Sequence, residues 1–290
     1  MSIFSAKTAA TIADSPLMVG FLVAGTAVVG GLILAFGGPI VAAGLLLSIL
    51  ATLVVLRNLE IGFWGVIGVV CLLPFATLPF KIVITPTFLD LALGAVVAVW
   101  ALRLVTGRQT RVITAPVTVP LLVFIVVAIF AFIFGLGNGP LTSQLIRRFA
   151  ELMLSLGFVI IVVDYCRTWE RLERLVKVLL LAGAAAGAIG IGLWLLPDEL
   201  ANTILNVLSR IGYPGGNVIR YIEENPDLSE RAIGTSVDPN VYGGLLVLLG
   251  TVAAPQMLAK RPLFPRWLST VIFGLIFVAL MLTFSRGAFV

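Results

Sequence analysis

The stretch "RWLSTVIFGLIFVALMLTFSRGAFV", residues 266–290, decides the fold. Beyond Arg266 it runs to Phe284 without another charge. The nineteen residues 266–284 approach the length of about 20 that a helix needs to cross a bilayer core. Ser285-Arg286-Gly287 then interrupts, and the apolar pattern resumes for three residues. An arginine at the edge of such a segment asks for an anionic partner, and the resumed pattern reads as the start of another helix.

The rest of the chain repeats this texture. Of its 290 residues, 60% are hydrophobic and 11% charged, with a mean hydropathy of +1.15. A soluble domain carries about 25% charged residues. The composition implies an all-α polytopic membrane protein. Apolar runs give nine spans, near 17–36, 39–56, 61–79, 87–104, 116–135, 148–165, 174–196, 239–257 and 266–284, with a tenth starting at Gly287. All belong to one transmembrane domain, 1–290, with one sizeable loop, 197–238. Leu17–Phe36 is too long for a cleavable signal and no cleavage context follows it, so it stays as a helix. Pro79, Pro86, Pro116 and Pro197 fall at span ends, whereas Pro74 falls inside the third span and is expected to kink it. The two cysteines make no disulfide framework. No basic tract interleaved with aromatics suggests a nucleic-acid partner.

Orientation follows from the loops. With the N-terminus inside, twelve of the Lys and Arg residues face the cytoplasm and seven the outside. Loop 197–238 is then outside. It is acidic, with Asp198, Glu199, Glu223, Glu224, Asp227, Glu230 and Asp238 against Arg210, Arg220 and Arg231.

Ionisable groups at membrane depth are functional candidates. Asp90 opens the fourth span, where a carboxylate suits the positive helix end. Glu151 in the sixth lies three and four residues from Arg148 and Arg147, the spacing of a helical ion pair. In the loop, Leu200, Ile204, Leu208 and Ile211 share one helical face, as in a short interfacial helix. Residues 217–235 read as a small hairpin about Asn225-Pro226-Asp227. Asp238 is placed to cap the eighth span, with Pro239 at its first helical position.

Arg231 precedes the eighth span and Arg286 follows the ninth, so a hairpin of these spans would bring both guanidiniums together at the outer surface. Arg147, Arg148 and Arg220 are candidates to extend this cationic site. Arginine forks match phosphate, whether of a bound substrate or of the surrounding lipid.

"RAIGTSVDPNVYGGLLVLL" from Arg231, followed later by "LTFSRGAF", resembles the O-antigen ligase and O-antigen polymerase family of membrane glycosyltransferases. The ordered pair of elements carries the resemblance, since each alone is short and made of common residues. The resemblance implies an enzyme of the bacterial cytoplasmic (inner) membrane that needs no metal or other cofactor. Its donor is a glycan on undecaprenyl pyrophosphate and its acceptor a sugar, met among membrane lipid at the outer face. Arg231 and Arg286 would hold the pyrophosphate, with Asp238, Asn240 and Ser285 from the same two elements nearby. The resemblance also implies a histidine general base in a later outer loop. This chain has no histidine, and the expectation is that the sequence is truncated after residue 290. Asp238 is the alternative base, although its capping position favours a structural role. Ligase and polymerase stay unseparated. An alternative function is a transporter of an anion or a lipid-linked intermediate, for which broken helices at Pro74 or among the glycines of 183–192 would be the sign.

Overall fold

The computed structural model describes residues 55, 57–77, 87–107 and 112–289. The first two sequence spans lie outside them, apart from the end of the second. The described residues are mostly helical. The longer helices are α1 (Leu59–Leu72), α2 (Phe88–Val105), α3 (Thr118–Gly135), α4 (Ser143–Tyr165) and α5 (Trp169–Leu195). A shorter α6 (Asp198–Val207) and a two-stranded antiparallel ribbon, β1 (Arg220–Tyr221) and β2 (Glu230–Arg231), follow. Then come α7 (Pro239–Leu258), α8 (Arg266–Leu282) and the short α9 (Arg286–Phe289).

Among the described residues, four helices are long and apolar enough to cross a membrane: Phe88–Val105, Thr118–Asn138, Trp169–Leu195 and Pro239–Leu258. The α1 and α8 helices are apolar but shorter, and α4 carries Arg147, Arg148 and Glu151 in its first half. This fits an all-α membrane protein. The plainest case is α3, whose apolar side chains are exposed over most of its surface, Val119 at 67% and Phe134 at 79% among them, with one face of Leu121, Ile125, Ala128 and Phe132 partly covered. A helix that is hydrophobic all round and uncovered over most of its surface calls for an apolar solvent.

Local chemistry sets the helix ends. The Thr87 side chain accepts from Asp90 N at 3.0 Å while Thr87 N donates to the Asp90 carboxylate at 2.8 Å, a reciprocal cap that explains Asp90 without a membrane-depth role. Asn58 and Thr142 cap α1 and α4 in the simpler way. Pro74 does not kink a helix. The α1 helix stops at Leu72, because the residue before a proline is pushed out of the helical region.

Side-chain pairs show that the helices alternate in direction. One end gathers the start of α1 and α5, where Arg174 meets Glu60 at 2.6 Å, and the ends of α2 and α4, where Trp100 Nε1 donates to Asp164 at 2.8 Å. Buried Asp164 also accepts from Ile113 N at 2.8 Å and Arg167 at 2.6 Å, tying three segments together. The other end holds the start of α4, where Arg147 reaches Glu151 at 2.8 Å and Asp90 at 3.7 Å, and all of 198–238. Glu151 is thus the i,i+4 partner of Arg147.

Two larger apolar cores result among the described residues, with a smaller one beneath α6. One joins α1, α2 and α4 through Phe63, Val96 and Ile161; the other joins α5, α7 and α8 through Leu180, Leu246 and Ile276. The second depends on the glycines of α5, which is continuous. A Cβ on Gly187 would lie 2.9 Å from the Leu275 carbonyl oxygen, so α8 backbone takes that space. A Cβ on Gly190 would lie 2.1 Å from the Tyr242 hydroxyl. Buried Tyr242 fills that notch and donates to Ala186 O at 2.7 Å.

The expected amphipathic helix is α6, with the apolar face of Leu200 and Ile204 turned away from the protein. Ala201 and Leu205 are buried, Leu205 against Leu193, Val218 and Ile233, while Leu200 and Ile204 stay 53% and 49% exposed. Asn202 and Asn206 fix this rotation by bonding the backbone at Val218 and Gly216. The hairpin is present, with Arg220 paired to Arg231 and Tyr221 to Glu230.

Candidate functional site: a donor-rich cleft between two chain segments

Since α7 and α8 are antiparallel neighbours, the segment entering α7 and the segment leaving α8 meet at one end of the pair. Asp238 caps α7, its Oδ1 accepting from Asn240 N at 2.7 Å and Val241 N at 3.1 Å, with Pro239 in the first turn. Ala232 N donates to Leu282 O at 2.7 Å and joins the segments by backbone. Gly243 lets them close, since a Cβ there would stand 3.0 Å from that of Ala288.

Arg231 bridges the two elements. Its Nε donates to Thr283 O at 2.8 Å and its Nη2 to Asn240 Oδ1 at 3.1 Å. Ser285 Oγ donates to the same Asn240 oxygen at 2.9 Å. These two donors fill both acceptor positions of the Asn240 oxygen. Of the five guanidinium N–H groups, three are left after these two bonds. Thr283 and Ser285 are buried, and Ser285 N donates to Thr283 Oγ1 at 3.2 Å.

Above this network lies a cleft of about 320 Å³ lined by Ile222, Glu223, Arg231, Asn240, Phe284, Arg286 and Gly287. Its walls carry two guanidiniums and one carboxylate. Arg286 Nη2 is 3.8 Å from Glu223 Oε1, both side chains being largely exposed. Positive φ angles cluster at its margins: Glu223 at 56°, Glu224 at 55°, Val237 at 58° and Phe284 at 46°. Such angles are uncommon without glycine, and for β-branched Val237 a clear strain, which the surrounding bonds must hold.

Facing residues of an antiparallel ribbon share a side, so Arg220 projects on the side of Arg231. Tyr221 and Glu230 project on the other. There the Tyr221 hydroxyl donates to the Asp198 carboxylate, which pushes the phenol up to about 12. Burial, helped by the Asp198 charge, pushes the Glu230 carboxyl up to about 7.

Of the residues singled out in the sequence, Arg231, Asn240, Ser285 and Arg286 come together, with Asp238 behind them as a cap. Arg220 flanks the group. Arg147 is held by Asp90 and Glu151, Arg148 is exposed on the same helix, and neither lines the cleft. Sequence reasoning passed over Glu223, one acidic residue among seven in its loop until the left-handed turn brings it to the cleft. It also passed over Tyr242, whose ring lies 3.0 Å from where a Cβ on Gly234 would sit, bracing the 231–238 segment.

No family model, curated protein or solved structure matches the chain.

Proposed function

We propose that the cleft binds the diphosphate of a lipid-linked glycan, and that the protein is a membrane glycosyltransferase of the O-antigen ligase or polymerase type. The observation that carries this reading is the convergence of the Arg231–Asn240 and Thr283–Arg286 elements, distant in sequence, on one cleft rich in N–H donors. An acceptor hydroxyl attacks the anomeric carbon of an undecaprenyl-diphosphate-linked donor. The bond from that carbon to the diphosphate oxygen breaks, its electron pair goes to the diphosphate, and the hydroxyl proton passes to the departing diphosphate. Arg231 and Arg286 stabilise the charge on binding and the charge that develops on leaving. Arg231 is pre-aligned by Thr283 O and Asn240 Oδ1, so little reorganisation is needed.

In this reading the helices form a bundle of nine to ten spans in the bacterial cytoplasmic membrane, with the N-terminus inside and 198–238 at the outer face. The exposed stripe of Leu200, Ile204 and Val207 rests on lipid. The features that would favour a transporter are weaker support than the sequence suggested, because Pro74 ends a helix and α5 runs unbroken through its glycines.

The test is binding of undecaprenyl diphosphate against undecaprenol by the protein in lipid nanodiscs. Diphosphate should bind better, and Arg231→Lys should lose about tenfold or more, since lysine cannot hold two protein acceptors and still present a fork. Equal affinity for the two lipids would reduce both arginines to membrane anchors.

A further inference from the structure

We propose that Glu223 is a built-in competitor for the cleft: its carboxylate holds the place beside Arg286 that a diphosphate takes, and the ligand must displace it to engage both arginines. This inference rests on the anion reading above. Glu223 is the one carboxylate among the described residues that line the cleft, and its Oε1 is 3.8 Å from Arg286 Nη2. Its presence there is built into the chain. The turn Ile222–Glu224 is fixed by Ile222 N on Ser229 O at 3.1 Å and Asn225 N on Ile222 O at 3.1 Å, with left-handed backbone at both glutamates. The contact itself is loose, since the two side chains are 71% and 92% exposed, so the carboxylate can leave while the turn stays.

The consequence is selectivity. With Glu223 in place the lining side chains carry two positive charges and one negative; with it displaced, two positive charges face the ligand. A single anionic group merely takes the place of the Glu223 carboxylate at Arg286. A diphosphate reaches Arg286 and Arg231 together, and the second contact offsets the loss of the first pair. Exposed pairs of this kind shift an equilibrium by up to about fivefold.

The experiment is a titration of the protein in nanodiscs with inorganic pyrophosphate, undecaprenyl diphosphate and undecaprenol. Glu223→Gln should tighten diphosphate binding about two- to fivefold. Glu224→Gln should not, because that residue does not line the cleft, and the gain should vanish in an Arg286→Gln background. Tightening with both diphosphates assigns recognition to the diphosphate itself; tightening with the lipid alone assigns it to a lipid-borne head group. Binding by the native protein with no change in Glu223→Gln overturns the competitor and leaves the anion reading standing. The same gain in Glu224→Gln also overturns it. No binding of either diphosphate by native protein or variant overturns the anion reading, and the competitor with it.

Discussion

Replacing Gly190 by alanine adds one methyl group to α5, and the structure makes its effect calculable. The new Cβ would lie 2.1 Å from the Tyr242 hydroxyl, 2.7 Å from Cζ and 2.8 Å from Cε1. Tyr242 is 1% exposed and its hydroxyl is bonded to Ala186 O, so the ring has no free direction in which to retreat. Overpacking of this kind costs about 1–3 kcal/mol. Stranding a buried hydroxyl adds about 1–3 kcal/mol. Alanine returns about 1 kcal/mol through helix propensity. The net destabilisation is about 1–5 kcal/mol. Gly192→Ala on the same helix is the control: nothing lies within 4 Å of its Cβ, so only the propensity gain applies. Unfolding in mixed detergent micelles should separate the two variants in opposite directions from the native protein. Tyr242→Phe should rescue Gly190→Ala in part, since it deletes the worst contact but leaves Cζ at 2.7 Å. Gly190→Ala should also loosen the cleft, because the same ring braces Gly234. If Gly190→Ala is as stable as Gly192→Ala, the notch in α5 does not hold Tyr242 and the account of this core is wrong.

The carboxyl of Glu230 gives a pH signature. Burial raises it from 4.5 to about 7, so the folded protein holds that proton more tightly than the unfolded chain. Its contribution to stability is complete below about pH 4.5 and is lost as pH rises through about 7. Glu230→Gln should flatten that slope in thermal melts across this window, and an unchanged slope would acquit Glu230. Orientation is open to labelling. In a background lacking Cys71 and Cys166, a thiol at Ser229 should react with an impermeant reagent from outside the cell and one at Arg261 only after permeabilisation; the reverse would invert the proposed topology.

The sequence by itself determined most of the described helices, because hydropathy, caps and prolines act over a few residues. Thr87 with Asp90 and Asp238 with Pro239 mark helix starts that can be read locally, and so does the spacing of Arg147 and Glu151. It also determined that Arg231 and Arg286 lie at the same end of adjacent antiparallel helices, since alternation of direction follows from short connections. Only the tertiary structure decided the rest. The inward face of α6 is Ala201 and Leu205 because Asn202 and Asn206 are tied to a distant loop, which no periodicity can report. Pro74 ends its helix locally, but where the chain goes next is set from far off: Ala76 O accepts from Phe88 N and Thr77 N donates to Ile211 O. The seven loop carboxylates look alike in sequence, yet a left-handed turn brings one of them to Arg286 and a ribbon turns another away. Hydrophobic pattern is a property of near neighbours. Which polar groups meet depends on bonds between residues tens of positions apart, and those distances exist only in the folded chain.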